Sequence, residues 1–160
     1  MIDITPVEPN ANSVVYNAFD RVDYRDAFRV SFPSGTFADI SQFAKVYFTS
    51  QPTWLRMVSM NILNKETLAE TINNSEFKVG EKIGSWGIHD ISDNEIVFGE
   101  SMGFMDYRFS MRLDKSDSDL IEVSTVVKIN SFMGKFYFAI VKLLHKRFVI
   151  KSLRYTIMNA

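Results

Sequence analysis

The sequence predicts an α+β domain in which a curved antiparallel sheet wraps around one long C-terminal helix, with two short helices after the first strand. Three observations carry this. Residues 105–113 and 121–129 alternate apolar and polar with a strict period of two, as strands do when one face meets a core and the other meets water. Residues 131–160 read as one helix with six Lys/Arg and no Asp or Glu. Fourteen Phe supply rings for a large interior, because each aromatic side chain carries a large area. The sheet must bury its apolar face and the helix its stripe, and curling one around the other satisfies both.

The elements follow in order. Residues 1–15 show no periodicity, and Pro6, Pro9, Asn10 and Asn12 predict an extended arm. The remainder, 16–160, is the size of one domain. Tyr24 to Phe32 is a strand, with Phe28, Val30 and Phe32 on one side and Ala27 and Arg29 on the other; Pro33, Ser34 and Gly35 end it. Ile40, Phe43, Ala44, Tyr47 and Phe48 fall at helical spacing behind a start signal at Asp39. Pro52 stops that helix. Thr53 then N-caps a second, with Trp54, Leu55, Val58 and Ile62 as its stripe. Lys65 to Glu76 reads as a polar connection with one further helical turn. Gly80, Gly84 and Gly87 predict a bent or bulged strand over 78–90. A turn at Ser92–Asn94 leads to a short strand over 95–99, and the two clear strands come next. Asn130 or Ser131 caps the terminal helix, whose stripe is Met133, Phe136, Tyr137, Ile140, Val141, Leu144 and Phe148.

Composition excludes several functions. There is no cysteine, hence no disulfide, thiolate nucleophile or cysteine-based zinc site. The N-terminus carries Asp3, Glu8, Pro6 and Pro9 and no apolar run, unlike a signal peptide. After Lys135 the longest uncharged run of the terminal helix is Phe136 to Val141, far short of the roughly 20 residues a membrane span needs. The expectation is a cytoplasmic chain with no membrane span. Net charge is −1, yet the terminal thirty residues carry +6. The expectation is that this basic helix docks on an acidic body, its stripe fully used by the sheet. A pI near 6.1 argues against nucleic acid as a partner.

Two motifs carry a resemblance. Met105–Asp106–Tyr107–Arg108–Phe109–Ser110 resembles a Leu-Asp-Phe-Arg-Val-Ser strand. Gly134–Lys135–Phe136–Tyr137, followed by Leu143 to Ile150, resembles Gly-Arg-x-Tyr and Pro-Phe-His segments. Both belong to an uncharacterised bacterial branch of the START-like (SRPBCC, helix-grip) superfamily. Gly80, Gly84 and Trp86 stand where its glycine-rich strand would. Some members of the branch are fused to NAD(P)-binding, epimerase-like domains; no dinucleotide fingerprint occurs in this sequence. Phe104 stands where the branch often has His, and Leu143 where it has Pro. If that His is catalytic there, its absence implies binding without catalysis.

The resemblance implies a small apolar or amphipathic ligand between helix and sheet. The expected lining is Trp86, Tyr107, Phe109, Thr125, Met133, Tyr137, Leu144 and His145. Asp106 and Arg108, two apart on one strand, form a possible polar site; the competing reading is a charge pair on the wet face. Gly99–Glu100–Ser101–Met102–Gly103 matches the hydrolase G-x-S-x-G, but a strand follows where the nucleophile turn needs a helix, so a hairpin turn is expected. Two His and no Cys suggest no metal site, and no cofactor is expected. The leading reading is a small-molecule binder with no assigned catalytic residue. The alternatives are an enzyme of the same fold acting on a hydrophobic or polyketide-like substrate, and an interaction module using the basic helix.

Overall fold

The computed structural model describes residues 2–58, 65–116 and 118–160. Seven strands form one antiparallel sheet: β1 Ile4–Val7, β2 Tyr24–Phe32, β3 Lys82–Ile83, β4 Trp86–Ile91, β5 Glu95–Ser101, β6 Met105–Asp114 and β7 Asp119–Ile129, in spatial order β1-β2-β7-β6-β5-β4-β3. Helices α1 Ile40–Ser50, α2 Thr53–Val58 and α3 Lys65–Asn74 sit in the connection between β2 and β3. Helix α4, Phe132–Asn159, closes the chain. The fold is the expected one, a curved sheet with a long C-terminal helix.

Three local features differ from the expectation. The stretch 65–76 is a ten-residue helix, α3, rather than a single turn. Among its described side chains only Leu68 and Ile72 are fully buried, a stripe too thin to stand out in a polar sequence. The glycine-rich strand is a hairpin, β3 and β4, in which Ile83 pairs with Trp86. Gly84, at φ 65°, takes the left-handed conformation that a two-residue hairpin turn requires. The expected bulge is present, one element later, between Ile88 and Asp90. Residues 4–7 pair with β2 as an edge strand, and Ser13 N-caps a 3₁₀ turn, Val14–Asn17. Ile62 lies outside the described residues.

The interior is a chain of rings. Phe32, Phe37 and Phe43 meet edge to face, with centroids 4.9 and 5.2 Å apart in succession. Tyr47 and Phe48 continue it along α1. Phe48 then touches Phe98 at 5.2 Å, and Phe98 stacks on Phe109 at 5.2 Å. Edge-to-face and offset pairs of this kind add to the burial term.

The sheet's outer face is covered over part of its area. Val15 packs on Val97 and Val126, with Phe19 and Val22 beside them. Glu95, almost wholly buried, accepts hydrogen bonds from the Ser13 hydroxyl and the Val14 amide. Glu122 receives the Asn10 amide and the Arg29 guanidinium, the latter at 2.7 Å.

Helix α4 is capped by Ser131, whose hydroxyl accepts from the Gly134 amide at 3.2 Å. Gly134 is buried against the turn between β5 and β6. A Cβ there would collide with the Phe104 carbonyl oxygen. At the far end Ser152, Leu153 and Thr156 are buried, and Gln51 Nε2 donates to the Ser152 carbonyl at 3.2 Å, tying α1 to α4. Replacing a helical Gly by Ala ordinarily stabilises by about 1 kcal/mol. Here Gly134→Ala is expected to destabilise by about 1–3 kcal/mol, the range for overpacking a close contact. Urea denaturation of the two proteins checks the sign.

Candidate functional site

Between its two anchored ends, α4 stands off the sheet. A cavity of about 200 Å³ lies there, lined by β2, β4, β5, β6, β7, α1 and α4. Its wall is apolar over most of its extent: Met102, Met105, Phe109, Val123 and Val127 from the sheet side, and Phe138, Val141, Leu144, Phe148 and Val149 from the helix. Set into that wall are Tyr24, Glu100, Tyr107, Thr125, Tyr137 and His145.

The polar groups form two clusters. In the first, the Tyr24 hydroxyl donates to Asp26 Oδ2 at 2.8 Å, and His145 Nε2 lies 3.3 Å from Oδ1 and 3.2 Å from Oδ2 of the same carboxylate. The His145 and Asp26 side chains are only 17% and 15% exposed. Burial, then the bond to Asp26, pushes the Tyr24 phenol above its ordinary value. In the second cluster, Trp86 Nε1 donates to the Tyr107 oxygen at 2.7 Å, and the Tyr107 hydroxyl donates to Glu100 Oε2 at 3.1 Å. Burial, then the Glu100 charge, raises the Tyr107 phenol as well. Burial, opposed by a hydrogen bond with Ser152, pushes the buried Tyr47 up to about 12.

Register explains how the sheet presents these groups together. Asp26 lies opposite Thr125, Thr125 opposite Phe109, Phe109 opposite Phe98, and Tyr107 opposite Glu100. The polar groups thus sit at or beside one row that crosses the concave face.

The expected lining residues Trp86, Tyr107, Phe109, Thr125, Tyr137, Leu144 and His145 all border this cavity. Met133 does not: it is 68% exposed. Gly134's close approach turns 134, 138, 141 and 145 toward the sheet, which points 133, 136 and 140 away. Asp106 and Arg108 are likewise elsewhere. They alternate with the concave residues of β6 and therefore face outward, where Asp106 accepts from Asn130 Nδ2 at 2.8 Å and Arg108 lies over the Phe19 ring. Ser101 ends β5 and Gly103, at φ 80°, makes the hairpin turn.

Sequence reading missed Tyr24, Asp26 and Glu100. The signal was available. Asp26 is in phase with Phe28, Val30 and Phe32, and Glu100 with Ile96 and Phe98. A carboxylate on the apolar phase of a strand must be paired in the fold, because an isolated buried charge is far too costly.

The fold and the cavity define a class: α+β domains that enclose an apolar chamber with fixed polar groups between a curved sheet and a terminal helix. Within it, residues 18–152 match the family described as protein of unknown function DUF2867, and the chain belongs to that family. No curated protein and no solved structure matches the chain significantly.

The raised phenols set an expectation for alkaline pH. The folded state holds all three protons, on Tyr24, Tyr47 and Tyr107, more tightly than the unfolded chain, whose tyrosines titrate near 10. That stabilisation is fully present below about pH 10 and is lost as pH climbs toward the raised folded values. Denaturation midpoints measured at pH 8 and pH 11 should fall between the two. In Tyr24→Phe the fall should be smaller, because one linked proton has been removed.

Proposed function

We propose that this chain binds a small amphipathic molecule between the sheet and α4. The observation that carries the reading is the cavity itself. At about 200 Å³ it exceeds the roughly 150 Å³ that admits a benzene-sized guest in a dry protein interior. Ligand sites combine mostly apolar walls with a few fixed polar groups, and this wall has that make-up. The resemblance to the START-like superfamily supports the same reading, since ligands lie in that position there.

The polar groups restrict the ligand. Glu100 borders the chamber as an acceptor whose remaining lone pairs favour a hydroxyl, an amine or an amide N–H on the guest. An anionic head would meet the Glu100 carboxylate, with Asp26 behind Tyr24 and His145. The favoured guest is therefore an apolar body with a neutral or cationic donor end. Trp86 reports on it, since its ring borders the cavity while Trp54 lies on the surface. Titration with apolar alcohols and amines should change the Trp86 emission, and Val141→Trp, which fills the chamber, should weaken binding by about tenfold or more, or 1.4 kcal/mol. If native mass spectrometry and titration of an aromatic and lipid panel find no guest for the wild type, the reading is wrong.

A second reading, an enzyme of the same fold acting on a hydrophobic substrate, is favoured by one observation: His145, bonded to Asp26, borders the chamber. A carboxylate-oriented imidazole is a competent general base. That reading expects His145→Gln to lose kcat while KM for the substrate stays within about threefold. Equal kcat in the two proteins would remove it.

A further inference from the structure

Helix α4 presents a second apolar face, opposite the sheet. Phe132, Phe136, Ile140 and Leu143 run along it, and Phe132, Phe136 and Leu143 are 83%, 64% and 74% exposed. The first half of the helix is apolar all round, a pattern that in water marks a helix covered on every side. The expectation that the stripe is used up by the sheet fails here, because the sheet takes the 134, 138, 141, 145 face and leaves this one open. The basic groups are not consumed by ion pairs with the acidic body either, although Lys142 and Lys151 lie over the rings of Tyr24 and Trp54. Among the described residues, no ion pair engages Lys135, Lys142, Lys146, Arg147, Lys151 or Arg154. At 100° per residue, Lys135, Lys142 and Lys146 border the exposed row on one flank, while Arg147, Lys151 and Arg154 continue the same outer face beyond it.

We propose that the outer face of α4 docks on an anionic lipid bilayer. The charge decides between occupants. A second copy packed face to face would bring together two helices each carrying six cations and no anion, a like-charge juxtaposition that opposes the contact. An anionic bilayer answers both halves of the face: acyl chains take the Phe, Ile and Leu row, and headgroups take the cations. It also suits the shape, since a convex rod finds in a fluid layer the fit it would otherwise need a preformed groove to find. Leu144 sits at the margin of the exposed row and also borders the chamber, half exposed, so a docked helix would place the chamber's edge at the lipid surface. Docking does not require the chamber to hold a guest.

The test is co-sedimentation of the purified chain with vesicles of phosphatidylcholine alone and of phosphatidylcholine with phosphatidylglycerol. The chain should pellet with the anionic vesicles and stay in the supernatant with the neutral ones, and about 0.5 M salt should release it by screening. Phe136→Asp with Leu143→Asp, and separately Lys146→Glu with Arg147→Glu, should each lower the bound-to-free ratio by about tenfold or more, since each cation near the surface adds appreciably to binding. All four residues are exposed, so circular dichroism melts should match the wild type. Val141→Trp should pellet normally, which separates this outcome from the fate of the chamber. If the wild type does not pellet with anionic vesicles, the proposal fails. Sizing then shows what covers the face: a dimer that Phe136→Asp with Leu143→Asp dissociates means a second copy, and a monomer means a protein partner.

Discussion

A straight rod cannot lie flush against a curved sheet, and most of this structure follows from that mismatch. The rod is α4, 28 residues and so about 42 Å long. It is held where side chains are smallest. At one end Gly134 lets the backbone come down onto the Phe104 carbonyl. At the other, Ser152 and Thr156 let α1 approach, with Gln51 fastening the contact. Between these anchors the sheet bows away. The gap is partly filled by Phe138 and Val149, and what they leave is the chamber. The cavity is thus a consequence of where the small residues of α4 stand, and no separate device is needed to hold it open.

The same anchors explain how far the sequence was legible. The strands β6 and β7 could be read from alternation because each has one wet face. The terminal helix could be read from its length and its cap. Its orientation could not. A helix whose first half is apolar all round offers two stripes of similar strength, and hydrophobic spacing cannot choose between Met133, Phe136, Ile140 on one side and Phe138, Val141, His145 on the other. The choice is made by Gly134, through a backbone contact with a residue thirty positions away in the chain. Helix α3 was obscured for the opposite reason: with Leu68 and Ile72 as its buried residues, its pattern hardly rises above a polar connection. The Lys82–Ile91 hairpin was obscured because its first strand has two residues, too few to show any period.

The outer face of the sheet shows the price of alternation where water is excluded from both sides. Glu95 and Glu122 sit on the polar phase of β5 and β7, yet residues 10–19 fold over them. Each carboxylate is then satisfied by groups of that covering segment, Glu95 by the Ser13 hydroxyl and the Val14 amide and Glu122 by the Asn10 amide, with the Arg29 guanidinium of β2 as a further partner of Glu122. Removing one partner would leave a buried charge exposed to a low dielectric, which is far more damaging than the modest net gain of making the bond. The segment before β2 is therefore fixed by electrostatics as much as by the apolar contact of Val15 with Val97 and Val126.

The concave face poses the same problem with a different outcome. Asp26 and Glu100 lie among apolar neighbours, where a leucine at either position would be the more stable choice for packing alone. Each is kept from being orphaned by one phenol: Tyr24 for Asp26, Tyr107 for Glu100. His145 adds a second partner to Asp26, and Trp86 completes the bond of Tyr107. A carboxylate has about four lone-pair sites, so Glu100, which borders the chamber, keeps acceptor capacity there. A core built only for stability would have closed the gap with aliphatic side chains and placed no carboxylate there. Here the gap is left open and lined with rings, with one carboxylate, Glu100, on its wall and a second, Asp26, held behind Tyr24 and His145. Stability has been given up in this one place, and what stands there is an apolar chamber with fixed polar groups in its wall.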